Sequence, residues 1–564
     1  MALPRIDIYD TTLRDGTQGE GFNLSLRDKL LVAERLDDFG VDYIEGGFPG
    51  SNPKDVAFFA EAARRRFRHA KLAAFGMTRR RGMRAEDDPQ IQQLLAARTP
   101  VVTLVGKTSR WQVERVLAVS PDENLAMIGE SVACVVRAGR ECVYDAEHFF
   151  DGYRADPAYA IATLKAALQA GASVLVLCDT NGGTLPEDIA AAVAAVRQAL
   201  PTARLGIHTH NDAGLAVAGA LAAVRAGCTH AQGTINGVGE RCGNMDLTTL
   251  IANLQLKLGA PCLHGGEGQL ARLTELSRYV YDLSNTTPVG GQPYVGASAF
   301  AHKGGMHVHA IQKDTASYEH VDPARVGNVR KILISELSGA SNIAATAGKK
   351  YGLENDKALL RQVLSRVCEL ENQGWAFEVA EASFDLLVRR LLGRYTPTFD
   401  LLHYRVEVIK QGDGEPVSEA TVKLSVGSAV RHEVAEGDGP VAALDAALRK
   451  ALLPSYPELK DLHLMDYKVR VVPTYSGDGS VDESKSETSS VVRVVAEFRR
   501  EGGEAGDGYF GTVGVSANIV DASFLALRDA YDFHLLGEPA DPARSKPTTN
   551  DPTVEPGPEG GRRP

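Results

Sequence analysis

The chain has 564 residues, more than one hydrophobic core usually supports, so two or more domains are expected. Its formal net charge of -11 and sequence pI near 5.8 argue against a nucleic-acid surface, which needs clustered Lys and Arg. The cysteines, Cys134, Cys142, Cys178, Cys228, Cys242, Cys262 and Cys368, show no C-x-x-C and no tight spacing, which excludes a zinc ribbon and a disulfide framework.

From residue 5 onward one rhythm repeats: a short β-branched apolar run, a polar or glycine-containing loop, then an amphipathic helix. The first run starts almost at the N-terminus, and no apolar stretch approaches the roughly 20 residues of a membrane span, so a cytoplasmic location is expected. The expected strands are "RIDIY", "DYIEGGF", "KLAAFG", "VVTLVG", "ECVYDAE", "VLVLCDT", "RLGIHTH" and "AQGTING". Between them lie helical patterns such as "LRDKLLVAERLDDFG", "PEDIAAAVAAVRQAL" and "LAVAGALAAVRAG". Eight such units predict an α/β fold, a closed (β/α)8 TIM barrel over 1–275, rather than an open sheet with G-x-G-x-x-G after its first strand.

Residues 276–395 mix helical stretches with "FAHKGGMHVHAIQKDTASYEHVDPARVGN", which has no clean period and reads as a linker region with helices. From 396 to 544 the strands "YRVEVIK", "ATVKLSV", "DYKVRVVPTYS" and "SSVVRVVAEFR" alternate with the helices "GPVAALDAALRKALL" and "NIVDASFLALRDAYDFHLL". Two similar halves predict an α+β domain with an internal pseudo-repeat. Residues 545–564, rich in Pro, Gly and Thr, read as a disordered tail.

Chemistry in such a barrel sits where strands end. The first strand runs into "DTTLRDGTQ", which presents Arg14, Asp15 and Gln18. The seventh ends in "HTHND", and residues two apart in a strand share a side, so His208 and His210 project together. H-x-H alone is more often a pair of hydrogen-bonded polar residues at a strand end, and a third ligand reverses that. Barrel closure, however, brings Asp15 to the same mouth, and the glycine-rich turn of "TINGVGERCGNMD" could carry Asn244 there. A carboxylate, two imidazoles and an amide oxygen suit a divalent ion, Mg2+, Mn2+ or Zn2+, with positions left for a chelating substrate. Glu147 ends the fifth strand and Asp179 and Thr180 the sixth. Such an array could bind a 2-oxo acid and stabilise negative charge on its keto oxygen.

"DTTLRDGTQ", "HTHND" and "NGVGERCGN" resemble the barrel signatures of the acyl-CoA-condensing enzymes related to 2-isopropylmalate synthase, homocitrate synthase and citramalate synthase, and the resemblance covers all but the tail. It implies that Asp15, His208 and His210 hold the metal, with Asn244 at or next to it. It further implies that Arg14 stabilises the developing alkoxide, that Thr180 helps bind the 2-oxo acid carboxylate, and that Glu147 serves the acid/base network. His307 corresponds to a catalytic histidine that a partner subunit inserts over the site, with Tyr318 near it; Gln18 is expected to contact substrate or to support the metal. Three positions depart from the family pattern: His148 follows Glu147 where an acid is usual, His309 replaces an acid, and Cys242 stands where alanine is common.

The resemblance implies Claisen-type condensation of acetyl-CoA with a 2-oxo acid by a homodimer. "EGGFPGSNPKD", "FGMTRRRG" and "AEHFFDGY" resemble the pyruvate-using branch that feeds isoleucine synthesis, with 2-oxoisovalerate and leucine synthesis as the alternative. The C-terminal domain resembles the one that senses an end-product amino acid, isoleucine or leucine. An acyl-CoA lyase, which shares the barrel, and a regulator that has kept it only as scaffold stand as further alternatives.

Overall fold

The structure, a computed structural model, describes residues 3–333, 340–343, 349–353, 356–472, 491–501 and 508–537. The expected tail at 545–564 and the "PTYS" end of the expected strand at 466–476 lie outside the described residues.

The chain forms two compact units. The first, residues 1–300 and 319–330, is built on a closed barrel of eight parallel strands in chain order. These are β1 (Asp7–Asp10), β2 (Tyr43–Gly47), β3 (Lys71–Met77), β4 (Val101–Lys107), β5 (Glu141–Glu147), β6 (Val174–Asp179), β7 (Leu205–Thr209) and β8 (His230–Gly233). β1 closes the barrel against β8, with Asp10 opposite Gly233. Each strand is covered on both faces, which is why the runs read as continuously apolar rather than alternating; β6, VLVLCD, is buried throughout. The barrel interior is filled by Tyr9, Tyr43, Ala73, Val101, Val143, Val174, Val176 and Cys178.

The outer helices follow their capping chemistry. Ser25 starts the helix Leu26–Phe39 with a full capping box to Asp28, and the left-handed Gly40 ends it. Proline at the first turn opens the helices at Pro121–Arg137, Pro157–Gln169 and Pro186–Ala199. Residues 276–300 and 319–330, which the sequence groups with the linker, pack in the barrel's unit; there Thr274 Oγ1 donates to the Val326 carbonyl at 2.7 Å.

The second unit comprises residues 301–318 and 331–564. It carries the helices Gly305–Lys313, Lys357–Asn372 and Glu381–Leu391. Its pseudo-repeat consists of two antiparallel three-stranded sheets, Asp400–Ile409, Val417–Val426 and Ala429–Gly437, then Leu462–Val472, Val491–Arg500 and Tyr509–Ser516. Each is followed by a helix, Pro440–Leu452 and Ile519–Leu536. The third strand of each half, "AVRHEVAEG" and "YFGTVGVS", escapes the sequence reading, because charged residues or glycines dilute their apolar alternation. One core, including Val422, Leu424, Leu444, Leu448, Val494, Phe498 and Tyr531, joins both halves.

Candidate active site

The strand ends of the barrel bring four polar side chains together. His208 lies within β7, where Thr209 turns outward to donate to the Ala216 carbonyl, and His210 follows directly; the two imidazole centroids are 5.3 Å apart. Asp15 Oδ2 lies 3.4 Å from His208 Nε2, and Asp15, His208 and His210 each offer a ligand atom within 4.8 Å of the others. The loop after β8 folds back so that Asn244 bridges to His210, fixed by Asn211 N–H to Gly243 O at 2.9 Å and Met245 N–H to Thr209 O at 2.9 Å. That reversal needs Gly243: its φ is 90°, and a Cβ there would lie 2.1 Å from the Gly237 carbonyl oxygen.

All four residues are buried, Asn244 with 1% of its surface exposed and His210 with 7%. Asn244 Nδ2 donates to Val238 O at 3.3 Å, whereas its Oδ1 and His210 Nδ1 have no hydrogen-bond partner. A buried polar atom left without a partner costs about 1–3 kcal/mol, so two of them beside a carboxylate fit a cation absent from the chain itself. Nitrogen and oxygen donors without thiolate suit a divalent ion in an open site. The protonation states agree. Burial opposes charge on Asp15, but Arg14 and His208 outweigh it and hold the carboxylate below its usual range. Burial, with His208 beside it, lowers His210 to about 4 and keeps it neutral. For His208, burial works against the charged form and Asp15 more than reverses it, so a metal held there would have to displace a proton.

Arg14 faces this cluster from the turn after β1, with Nη1 3.3 Å from Asp15 Oδ2. Its Nε donates to Glu45 Oε1 at 2.6 Å, and the guanidinium lies 3.8 Å from the Phe75 ring centroid. Glu45, fully buried in β2, also accepts from the Tyr9 and Thr11 hydroxyls. Glu45 was missed in the sequence; the available signal was a lone carboxylate inside the strand "DYIEGGF". Asp10, raised to about 7 by burial, accepts from the Thr12 N–H and hydroxyl, and Thr12 Oγ1 in turn accepts from Ile235 N–H at 2.9 Å, tying the mouth across the closing seam. The bare Cα of Gly16 accommodates Val238, whose Cγ2 would lie 3.1 Å from an added Cβ.

Glu147 and Thr180 stand at the ends of β5 and β6 on the same rim. Glu147 Oε2 lies 2.6 Å from Lys107 Nζ. His148 takes a left-handed conformation, φ 57°, so that its N–H donates to Thr180 Oγ1 at 2.8 Å; burial lowers its imidazole despite Glu147. Asp179, in contrast, turns to accept from the Thr184 N–H and hydroxyl, a structural role. Arg241 was also missed, although it sits in the quoted "GERCGN"; it grips Asp212 at 2.7 and 3.0 Å and donates to the Thr180 carbonyl at 2.8 Å, clasping three mouth loops. Cys242 and Gln18 are exposed. His307 and Tyr318 belong to the second unit, where their rings stack with centroids 4.2 Å apart and both side chains exposed; His309, on the same helix, is exposed as well.

Residues 5–280 match the HMGL-like family, 294–374 the homocitrate synthase post-HMGL domain-like family, and 378–535 the LeuA allosteric (dimerisation) domain. The (R)-citramalate synthase of Geobacter sulfurreducens is 48% identical over 94% of this chain and 97% of its own length. That of Aquifex aeolicus is 47% identical over 94% and 98%. A 2-isopropylmalate synthase from Halalkalibacterium halodurans is 28% identical over 83% and 88%. The chain belongs to the 2-isopropylmalate synthase and homocitrate synthase family, in its (R)-citramalate synthase branch. No helix among the described residues is long and apolar enough to cross a membrane.

Proposed function

We propose that the chain condenses acetyl-CoA with pyruvate to (R)-citramalate and free CoA, and that this reaction serves isoleucine biosynthesis. The observation that carries the reading is the 48% identity to an (R)-citramalate synthase over 97% of that enzyme's length, against 28% to a 2-isopropylmalate synthase.

Asp15, His208 and His210, with Asn244, are the residues we assign to a divalent cation, Mg2+, Mn2+ or Zn2+. Such an ion, when bound, supplies Lewis-acid polarisation of the keto group. The chain's own groups supply the rest. Arg14, locked by Glu45 and Phe75, offers a fixed cation to the keto oxygen as negative charge gathers there, and a group already in place costs no reorganisation during the reaction. The Thr180 hydroxyl accepts from His148 N–H, which leaves its own proton to donate to the pyruvate carboxylate. Gln18 is exposed, its N–H donating to the Asp15 carbonyl at 3.0 Å, and is assigned to substrate contact.

His307, positioned by Tyr318 and supplied by a partner subunit, is our candidate for the base that takes a proton from the acetyl methyl group. Glu147, 2.6 Å from the Lys107 ammonium, would take a proton from it and pass that proton to the new alkoxide oxygen. The methyl carbon, now carrying the electron pair, bonds to pyruvate C2; water then cleaves the thioester, releasing CoA as thiol and leaving the second carboxylate.

A match to the LeuA dimerisation domain supports oligomerisation and regulatory binding. The first sheet of the second unit buries Ala420, Val422 and Leu424 against its helix, while Val430 and Val434, paired with Ser425 and Thr421, are exposed on the opposite face. That open apolar face fits a homodimer contact, and we propose isoleucine, with leucine the alternative, as the effector.

Steady-state release of free CoA with pyruvate, 2-oxobutyrate and 2-oxoisovalerate as acceptors tests the reading. Pyruvate is expected to give the highest kcat/KM, and a preference for the branched acid overturns the assignment.

A further inference from the structure

The chemistry that equips His208 to bind a metal lies one layer below it. His208 and Gln232 face each other across β7 and β8 in register, and His208 Nδ1 is 2.9 Å from Gln232 Oε1. Gln232 Nε2 donates in turn to Asp145 Oδ1 at 3.0 Å, from β5 on another wall of the barrel. All three side chains are buried: Asp145 is 3% exposed, Gln232 1% and His208 5%.

The order of these bonds is not interchangeable. Burial, with Glu45 nearby, pushes Asp145 up to about 7; once ionised it is a carboxylate that only accepts, so it draws the amide nitrogen of Gln232 toward itself. The amide oxygen must then face His208, and an oxygen there requires a proton on Nδ1. In a neutral imidazole this leaves the lone pair on Nε2, the atom that lies 3.4 Å from Asp15. The wrong tautomer would set an N–H where the cation belongs. An amide suits this place because its two ends have opposite hydrogen-bonding polarity and so transmit direction along the relay.

We infer that Gln232 is a positioning residue that, oriented by Asp145, fixes the tautomer and ring orientation of His208 for the metal. The inference rests on reading Asp15, His208 and His210 as metal ligands. Partners of this kind are worth about 10–100-fold in metal affinity.

The test is Mn2+ binding to the full-length apoprotein, followed by electron paramagnetic resonance, together with the 15N chemical shifts of histidine-labelled protein, which report the tautomer directly. Gln232→Met, which keeps length but not hydrogen bonds, is expected to weaken Mn2+ about tenfold or more and to shift His208 toward the Nδ1-unprotonated form. Gln232→Glu, which keeps an acceptor for Nδ1, is expected to bind more tightly than Gln232→Met. Asp145→Leu removes the acceptor at the far end of the relay while preserving the branched shape; it is expected to weaken Mn2+ about threefold or more, and it serves the test even if Gln232→Met does not fold.

Wild-type affinity with an unchanged His208 tautomer in Gln232→Met or in Asp145→Leu overturns the relay. If instead the wild-type protein fails to bind Mn2+, or Asp15→Ala binds it as tightly as wild type, the metal site itself is overturned, a separate result.

Discussion

Arg14 Nε donates to Glu45 Oε1 at 2.6 Å, and this bond fixes the direction in which the guanidinium faces. Arginine has long rotamer freedom, and a cation meant for one oxygen atom gains little if it samples several positions. Glu45 holds one edge and Phe75 one face, so the remaining edge is left toward Asp15 and the mouth.

Glu45→Ala is expected to lower kcat about 100-fold, the scale of an ångström of misplacement at a reacting centre, with a smaller change in KM for pyruvate. It also strips the buried Tyr9 and Thr11 hydroxyls of their acceptor, at about 1–3 kcal/mol each. Steady-state kinetics with a parallel urea titration separates the two effects; a kcat equal to wild type would show that Arg14 needs no such anchor.

Chelation should abolish CoA release, and added Mn2+ or Mg2+ should restore it. Because the ion binds only the folded barrel, an ion concentration of 100 times Kd should add about 2.7 kcal/mol of stability. Thermal unfolding of the dialysed protein with and without Mn2+ checks this, and His210→Ala should remove the increment, since it deletes a ligand from the cluster.

His230 sits between Tyr9 and Tyr43 with neither ring nitrogen hydrogen-bonded, and burial lowers it to about 3 from the ordinary 6.5. The folded state therefore binds a proton less readily than the unfolded chain. The neutral ring's stability is fully present above about pH 6.5 and is lost as pH falls toward 3. By pH 5 the loss attributable to this residue is about 2 kcal/mol. His230→Phe keeps an aromatic ring between the tyrosines and should lose that much less between pH 7 and 5 in denaturant titrations; identical pH slopes for the two proteins would refute the assignment.

Gly243→Ala should act at a distance on the cluster. The added methyl meets the Gly237 carbonyl in a left-handed position, so the loop that carries Asn244 must shift. We expect Mn2+ affinity to fall about tenfold or more with the barrel still folded, measured by titration alongside circular dichroism. Unchanged affinity would mean that Asn244 does not support the ion.

Val434→Asp places a charge on the open face of the first regulatory sheet. Sedimentation velocity should show dissociation toward monomer, and CoA release should fall with it if His307 reaches the site from a partner. A fully dimeric, active variant would move the interface elsewhere.

Much of this molecule is legible in its sequence because the barrel obeys local rules. The eight strands appear as short apolar runs, and β5 coincides with the run "ECVYDAE" residue for residue. His208 and His210 are readable because a strand has period two, and Asp15 because closure joins the first and last strands. Glu45, Asp145 and Gln232 are not readable in the same way: each lies inside a strand rather than at its end, and its partners come from other strands. Their meaning arises only when the walls of the barrel face one another. The third strands at 429–437 and 509–516 escape for a different reason, since a strand with one open or glycine-rich face carries too weak a pattern to stand alone.

The closing seam between β1 and β8 has a kinetic consequence. Asp15 follows β1, whereas His208, His210 and Asn244 belong to or follow the last two strands, so the cluster cannot exist on a partly made barrel. The ends of a long chain must meet first, a step whose entropy grows with loop length. With the ligand set proposed above, ion binding would report completion of the ring and clasp the seam: it should slow opening of β1 from β8 in hydrogen exchange far more than it slows fluctuations of the opposite wall at β4 and β5.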